Sequence, residues 1–415
     1  MSELPSKRSD TPVSSQRLFR SFFQAGFECS THKRESGERL DLVASTKHDL
    51  FCRQDYERLA GQGILTAREG LRWHLIEQRP GRLDFTSALP MIRASSETGI
   101  QVLWDLLHYG WPDHLDVFQP EFVSSFADMA AAFARLLQNE MKGPFFFTPV
   151  NEISFSSYAA GEKAIFSPYC KGRGLELKAQ LILAAIAATE AIRAVVPDAR
   201  FLTVDPIINV LPDPRRPSQR AAAAAYRTAQ YQSSDMLCGR IWPLLGGRED
   251  YLDIVGVNYY PHNQWIYPGR MIPRTHPEYR PFREMLSEVY DRYQRPLFIA
   301  ETGTEARSRV PWFRYVCDEA LAAMDNGVPI EGICLYPILN HPGWVDDRHC
   351  PNGLWDYADE RGNRKIYAPL ASELQRYRTV FENKLLTNPS NELLDNFAVL
   401  NGEAAARPAL CRKVA

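Results

Sequence analysis

Two glutamates carry the first chemical suggestion in this sequence. Glu152 follows Asn151 at the end of the apolar run 145–150, and Glu301 follows the apolar run 297–300. A carboxylate at the edge of a buried segment is partly withdrawn from water, which favours its protonated form. Two such groups facing one another are what cleavage of a glycosidic bond requires. One donates a proton to the leaving oxygen. The other must be ionised, to attack the anomeric carbon across roughly 5 Å or to activate a water across a wider gap. We read Glu152 as acid/base and Glu301 as nucleophile. A cationic Arg68 near Glu301 would keep that carboxylate ionised, and the Tyr260 hydroxyl would donate to it. A single strand-end glutamate is more commonly half of a surface ion pair; the coincidence of two, each ending a strongly apolar run, favours chemistry.

Something must bring residues so far apart in the chain together. Short apolar runs at 22–29, 64–68, 101–107, 145–150, 201–205, 254–259, 297–300 and 332–336 read as strands. Several are continuously apolar, as parallel strands covered on both faces should be. Between them lie helical patterns, among them 122–139, 176–196 and 309–327, the last ending on Gly327. Eight strands alternating with helices predict an α/β fold, a (β/α)8 TIM barrel in a single domain. A doubly wound open sheet is the competing topology, but no G-x-G-x-x-G follows an early strand. In a barrel, chemistry sits at the C-terminal strand ends. Here those ends carry Glu28, Arg68, His108, Asn151 with Glu152, Asp205, Asn258 with Tyr259 and Tyr260, Glu301, and Tyr336. The barrel is expected over 18–385, with a disordered polar tail at 1–17 and a C-terminal extension at 386–415.

Composition narrows the field. The net charge of −2 leaves no basic excess for nucleic acid. No stretch approaches the roughly 18 apolar residues of a membrane helix. The first twenty residues have no apolar core of the kind a secretory signal carries. The eight cysteines are scattered, without C-x-x-C or Cys/His ligand spacing, so reduced thiols and a cytoplasmic location are expected. No metal and no organic cofactor is called for, because two carboxylates suffice.

Five stretches then occur in register with these strands: LLHYGWPDHL, TPVNEISF, DIVGVNYYPH, LFIAETG and CLYPILNHPGWVDD…NGLWDY. Together they resemble the motifs of family 1 glycoside hydrolases, the β-glucosidase family, within the (β/α)8 retaining glycosidases. The resemblance covers about residues 20 to 360. It implies Glu152 as acid/base, Glu301 as nucleophile, and Asn151 as the residue that holds the sugar 2-hydroxyl. It further implies Arg68 beside the nucleophile and His108 on a sugar hydroxyl. Tyr260 falls on the tyrosine after the sixth strand, and Trp344 on a subsite tryptophan.

The departures concern sugar recognition. Gly343 stands where the family places a hydroxyl-gripping glutamate, Tyr336 where it has a tryptophan, and Glu28 where it has a glutamine. A site stripped of such groups should change its substrate. The expectation is therefore a retaining β-glycosidase acting through a covalent intermediate on a non-standard or modified glycoside. A transglycosylase using the same intermediate and a non-catalytic carbohydrate-binding barrel are the alternatives. Arg348 is a candidate grip for a carboxylate or phosphate on the sugar. Trp265 and Tyr267, in the long loop 261–282, are candidates to stack on an aglycone.

Overall fold

The computed structural model of the chain describes residues 17–386. Apart from Arg17 and Leu386 themselves, the expected tail at 1–17 and extension at 386–415 lie outside the described residues. Eight parallel strands close into a barrel: β1 (Phe23–Gly26), β2 (Thr66–Gly70), β3 (Gln101–Leu107), β4 (Phe146–Val150), β5 (Arg200–Pro206), β6 (Ile254–Asn258), β7 (Leu297–Thr302) and β8 (Ile330–Leu335). Each pairs with its neighbours in chain order, and β1 closes onto β8 through Phe23↔Ile333. The strand-to-strand connections carry α1 (His48–Gly61), α2 (Leu89–Thr98), α3 (Pro120–Glu140), α4 (Gly174–Arg193), α5 (Gln232–Leu237), α6 (Phe282–Tyr293) and α7 (Arg309–Asp325); α8 (Ala368–Leu386) follows β8. The fold is a (β/α)8 barrel, and all eight expected strands are present.

The continuous apolar runs have a simple cause. In β4, Phe146 packs inside the barrel with Leu103, Leu202, Ile254 and Phe298. Its neighbour Phe147 points the other way, into the layer between strands and helices. Both faces of the strand are buried, so alternation disappears. Phe19, ahead of β1, closes the bottom of the barrel, with its ring 5.5 Å from Phe146 and 5.3 Å from Phe298. In α3, Phe122, Phe126, Met129, Phe133 and Leu137 recur at helical spacing and form the buried stripe. With its bottom plugged, the barrel is open to ligands only at the C-terminal strand ends.

A charged cluster buttresses the outside of β1 and β2. The His48 ring, from α1, stacks on Phe27 at 3.6 Å. Its Nδ1 lies 2.8 Å from Asp55 and its Nε2 lies 2.9 Å from Glu69. Arg364 holds the other edge of Asp55, at 2.7 and 3.0 Å. Burial opposes charge on His48, but Glu69 and Asp55 outweigh it and push its pKa up to about 9. A histidine raised in this way contributes full stability below its unfolded pKa of about 6.5, and loses it as pH rises through 9. The unfolding free energy of the wild type should therefore fall between pH 6 and 9.5 by about 3 kcal/mol more than that of His48→Gln. Urea titrations of both proteins across that range provide the measurement.

Candidate active site

The C-terminal strand ends open into a cavity of about 730 Å³. That volume holds more than one sugar ring. Glu28, His108, Glu152, Tyr260, Glu301, Tyr336 and Trp344 all line it. Arg68, Asn151 and Asn258 are completely buried beneath, and reach the cavity only through hydrogen bonds to these residues. The barrel thus brings these ten residues together at one end.

The floor of the site is a charged network. Arg68 projects from β2 and is fully buried. Its Nη1 donates to the Ala300 carbonyl at 2.8 Å and to Glu301 Oε1 at 3.1 Å. Its Nη2 donates to Asp105 Oδ2 at 2.6 Å and to Asn151 Oδ1 at 3.1 Å. Asp105, on β3, also meets His108 Nδ1 at 3.2 Å. The second oxygen of Glu301 accepts the Tyr260 hydroxyl at 2.8 Å. Pairing of β7 with β6 shifts register between Ile299 and Glu301, a bulge beside the residue that turns into the mouth.

Glu152 is positioned differently. It has φ 47° and ψ 58°, a left-handed conformation that a residue with a Cβ seldom adopts. Strand pairing holds it there: Asn151 N–H donates to Leu107 of β3, and Glu152 N–H to Val204 of β5. Asn258, at the end of β6, donates to Glu152 Oε1 at 2.7 Å. The Tyr109 hydroxyl donates to Oε2. Tyr109 is itself left-handed, at φ 66°. Two strained residues on neighbouring loops are locked together by their side chains.

These surroundings separate the two carboxyls. Burial raises Glu152 and the nearby Glu301 charge raises it further, up to about 8; the Tyr109 and Asn258 hydrogen bonds offset only part. Burial also raises Glu301, but there the Arg68 cation, His108 and the Tyr260 hydroxyl pull downward. Glu152 has neutral donors and no cation, so of the two it is Glu152 that keeps the proton.

The side walls carry the departures noted in the sequence. The Tyr336 ring lies nearly parallel to His108, at 4° and 6.0 Å, with the Arg68 guanidinium 5.3 Å from its centre. Gly26 makes room for it, since a Cβ there would stand 2.0 Å from the ring. Trp344 packs edge-on against His32 at 5.0 Å and Tyr109 at 5.3 Å. Glu28 accepts from Ser30 N–H and Oγ through one oxygen. A Cβ on Gly343 would approach Asp346 Oδ1 to 2.2 Å, so its loop is folded over that position.

Several expectations need correction. Arg348 does not reach the cavity; its guanidinium grips Glu305 at 2.7 and 2.8 Å. Trp265 lines the cavity but Tyr267 does not. Tyr259 is turned away, stacked on Phe282 at 3.9 Å. Asp205 also faces away, holding the loop after Glu152 through Ser154 N–H at 3.0 Å and Ser154 Oγ at 2.9 Å. Cys29, Asp105 and His108 bring possible metal-ligand atoms within 4.8 Å of one another. The Arg68 guanidinium already neutralises Asp105 there and would repel a dication. Sequence reasoning missed Tyr109 and Asp105. Asp105 interrupts an otherwise apolar strand, a signal that was present in the sequence. Nothing local marks Tyr109.

Comparison with solved structures agrees with the fold. The chain is similar to the β-glucosidase of Thermotoga maritima in complex with deoxynojirimycin, with TM-score 0.70 and 16% identity over 88% of this chain and 99% of that one. The same enzyme in complex with noeuromycin gives TM-score 0.69 and 17% identity over the same shares. The structure described as a family 1 β-glucosidase from that organism gives 0.69 and 16%, again over 88% and 99%. At such identity the likeness establishes the barrel fold. No protein-family model matches the chain, and no curated protein sequence matches it.

Tyr109→Phe removes a donor that stabilises ionised Glu152, so the variant should push that carboxyl above about 8. Carbon-13 NMR of glutamate-labelled protein reads this directly. Glu152→Gln identifies the resonance, and an unshifted or lowered midpoint in Tyr109→Phe would contradict the assignment of forces.

Proposed function

We propose that the protein is a retaining β-glycosidase that cleaves a β-O-glycosidic bond by double displacement. The supporting observation is the unequal carboxyl pair in one cavity: Glu152 with neutral donors, Glu301 with a buried guanidinium. Glu301 attacks the anomeric carbon while Glu152 gives its proton to the departing oxygen, and a glycosyl ester forms on Glu301. Glu152, now ionised, takes a proton from water. That water attacks the same carbon, the ester bond breaks, and Glu301 leaves as a carboxylate. The Arg68 and Tyr260 hydrogen bonds favour Glu301 whenever it is ionised, so they hold it ready to attack and ready to leave.

Glu152 also orients the substrate. A general acid stands beside the leaving oxygen, so the leaving group points toward the loop that follows Glu152. That side of the cavity carries Phe155, Tyr158, Tyr226 and Trp265, with Leu175 and Met271 at its rim. The glycone lies against His108 and Tyr336, and the Trp344 ring, 6.5 Å from Phe155, borders the leaving-group side. Since Arg348 is committed to Glu305, an anionic group on the sugar finds no arginine among the described residues lining the cavity.

Glu301→Gln should reduce kcat/KM on an aryl β-glycoside by about 10³-fold or more. Glu152→Ala should lose about 10²- to 10⁴-fold on a poor leaving group and much less on a dinitrophenyl one, which needs no protonation. Azide should rescue Glu152→Ala and yield a β-glycosyl azide. Because the acid must be protonated, kcat/KM for the poor leaving group should fall as pH rises through about 8. Anomeric NMR of the first-formed product settles the stereochemistry; an α-product would sink the retaining mechanism.

A further inference from the structure

Asp205, near the end of β5, is a buried carboxylate that the double displacement does not use. Its Oδ1 accepts Ser154 N–H at 3.0 Å, and its Oδ2 accepts Ser154 Oγ at 2.9 Å and the Ser233 hydroxyl. All these donors are neutral, and Asp205 makes no ion pair among the described residues. The Lys178 ammonium on α4 donates to Gln232 at 2.8 Å. Asp235, on α5 with Ser233, is committed to Arg292. A buried carboxylate held only by neutral groups is costly. Tethering alone needs no charge, since an asparagine would accept the same N–H. Strand β5 holds the Glu152 turn at two points. The Val204 carbonyl accepts Glu152 N–H at 2.9 Å, and the Asp205 side chain takes Ser154, two residues further on. The left-handed Glu152 is fixed from both sides by the one strand.

We propose that Asp205 is a positioning residue for the general acid: it ties down the turn that carries Glu152, and its anion opposes loss of the Glu152 proton. The proposal rests on the hydrolase reading above. Glu152 is faced by Glu301 from β7, by the Tyr109 hydroxyl after β3, by Tyr260 after β6 and by Asp205 from β5. His108 is turned to Asp105 and acts on Glu301. The Lys178 cation acts on Asp205. Two carboxylates therefore work against a charge on Glu152, one across the cavity and one behind its own turn. Burial pushes Asp205 up to about 6, against the pull of its hydrogen bonds and of Lys178. Glu152 stands at about 8. Between those values Asp205 is charged while Glu152 is still protonated, the combination a general acid needs near neutral pH.

Wild type, Asp205→Asn and Asp205→Ala should be compared by carbon-13 NMR of Glu152 and by kcat/KM on aryl β-glycosides with a poor and a dinitrophenyl leaving group. Asparagine keeps an acceptor for Ser154 N–H and removes the charge. In Asp205→Asn the Glu152 midpoint should fall by about half a pH unit or more, and the alkaline limb of kcat/KM on the poor leaving group should fall with it. Asp205→Ala removes the tether as well. At about pH 6, where Glu152 is protonated, it should lose about tenfold or more on the poor leaving group and much less on the dinitrophenyl one. Asp205→Asn should recover most of that loss at the same pH, and it carries the test if the alanine variant fails to fold. An active wild type whose Glu152 midpoint does not move in Asp205→Asn overturns this proposal alone. So does an alanine variant impaired equally on both substrates. A wild type that turns over no glycoside overturns the hydrolase reading and this proposal with it.

Discussion

The site is organised around a cation that has nowhere to go. Arg68 is fully buried in the barrel, where an unpaired guanidinium would be prohibitively costly. Its neighbours answer that cost from three different strands: Asp105 from β3, Asn151 after β4, and Glu301 with the Ala300 carbonyl from β7. Each partner is thereby placed to within a hydrogen bond. Buried ion networks seldom maximise stability, since apolar side chains of the same volume commonly do as well or better. What this one does supply is a fixed position and a fixed charge for Glu301, which a leucine in place of Arg68 would not.

The same cation explains why the two glutamates differ. They share one cavity and one low-dielectric environment, so burial alone would raise both. Arg68 contacts only Glu301. Glu152 is reached by an amide and a phenol, which stabilise an anion less than a guanidinium does. The proton therefore settles on Glu152 because of which neighbour each carboxyl lacks. Backbone strain serves the same end. The left-handed turns at Tyr109 and Glu152 are unfavourable locally, and the β3–β4–β5 ladder holds the second of them in place.

Much of this was legible in the sequence, for a definite reason. Parallel strands buried on both faces announce themselves as apolar runs, and a barrel makes the residue after each run a candidate for the mouth. Phe145 to Glu152 is the clearest case. What could not be read is who pairs with whom across loops. Arg348 looks like a free cation until Glu305 is placed opposite it. Trp265 and Tyr267 both pack on the Tyr226 ring, at 5.8 and 6.3 Å, yet only Trp265 meets the cavity. Tyr109 follows His108 without any local mark, and its role exists only once Glu152 bends toward it. Partnerships of this kind are properties of tertiary closure, not of spacing.

The division of labour within the mouth follows from how each group is held. Glu152, Glu301, Arg68 and Asn258 sit on or immediately after barrel strands, with ladder hydrogen bonds on both sides. Moving any of them means breaking the barrel. Trp344, Trp265 and the Ser30-braced Glu28 sit on segments beyond the strands, where a change of sequence leaves the ladder intact. Groups proposed to break the bond and groups proposed to meet the sugar therefore answer to different constraints. A chain can keep the first while replacing the second. The barrel sets what reaction the proposed site can carry out; the loops set which glycoside is admitted to it.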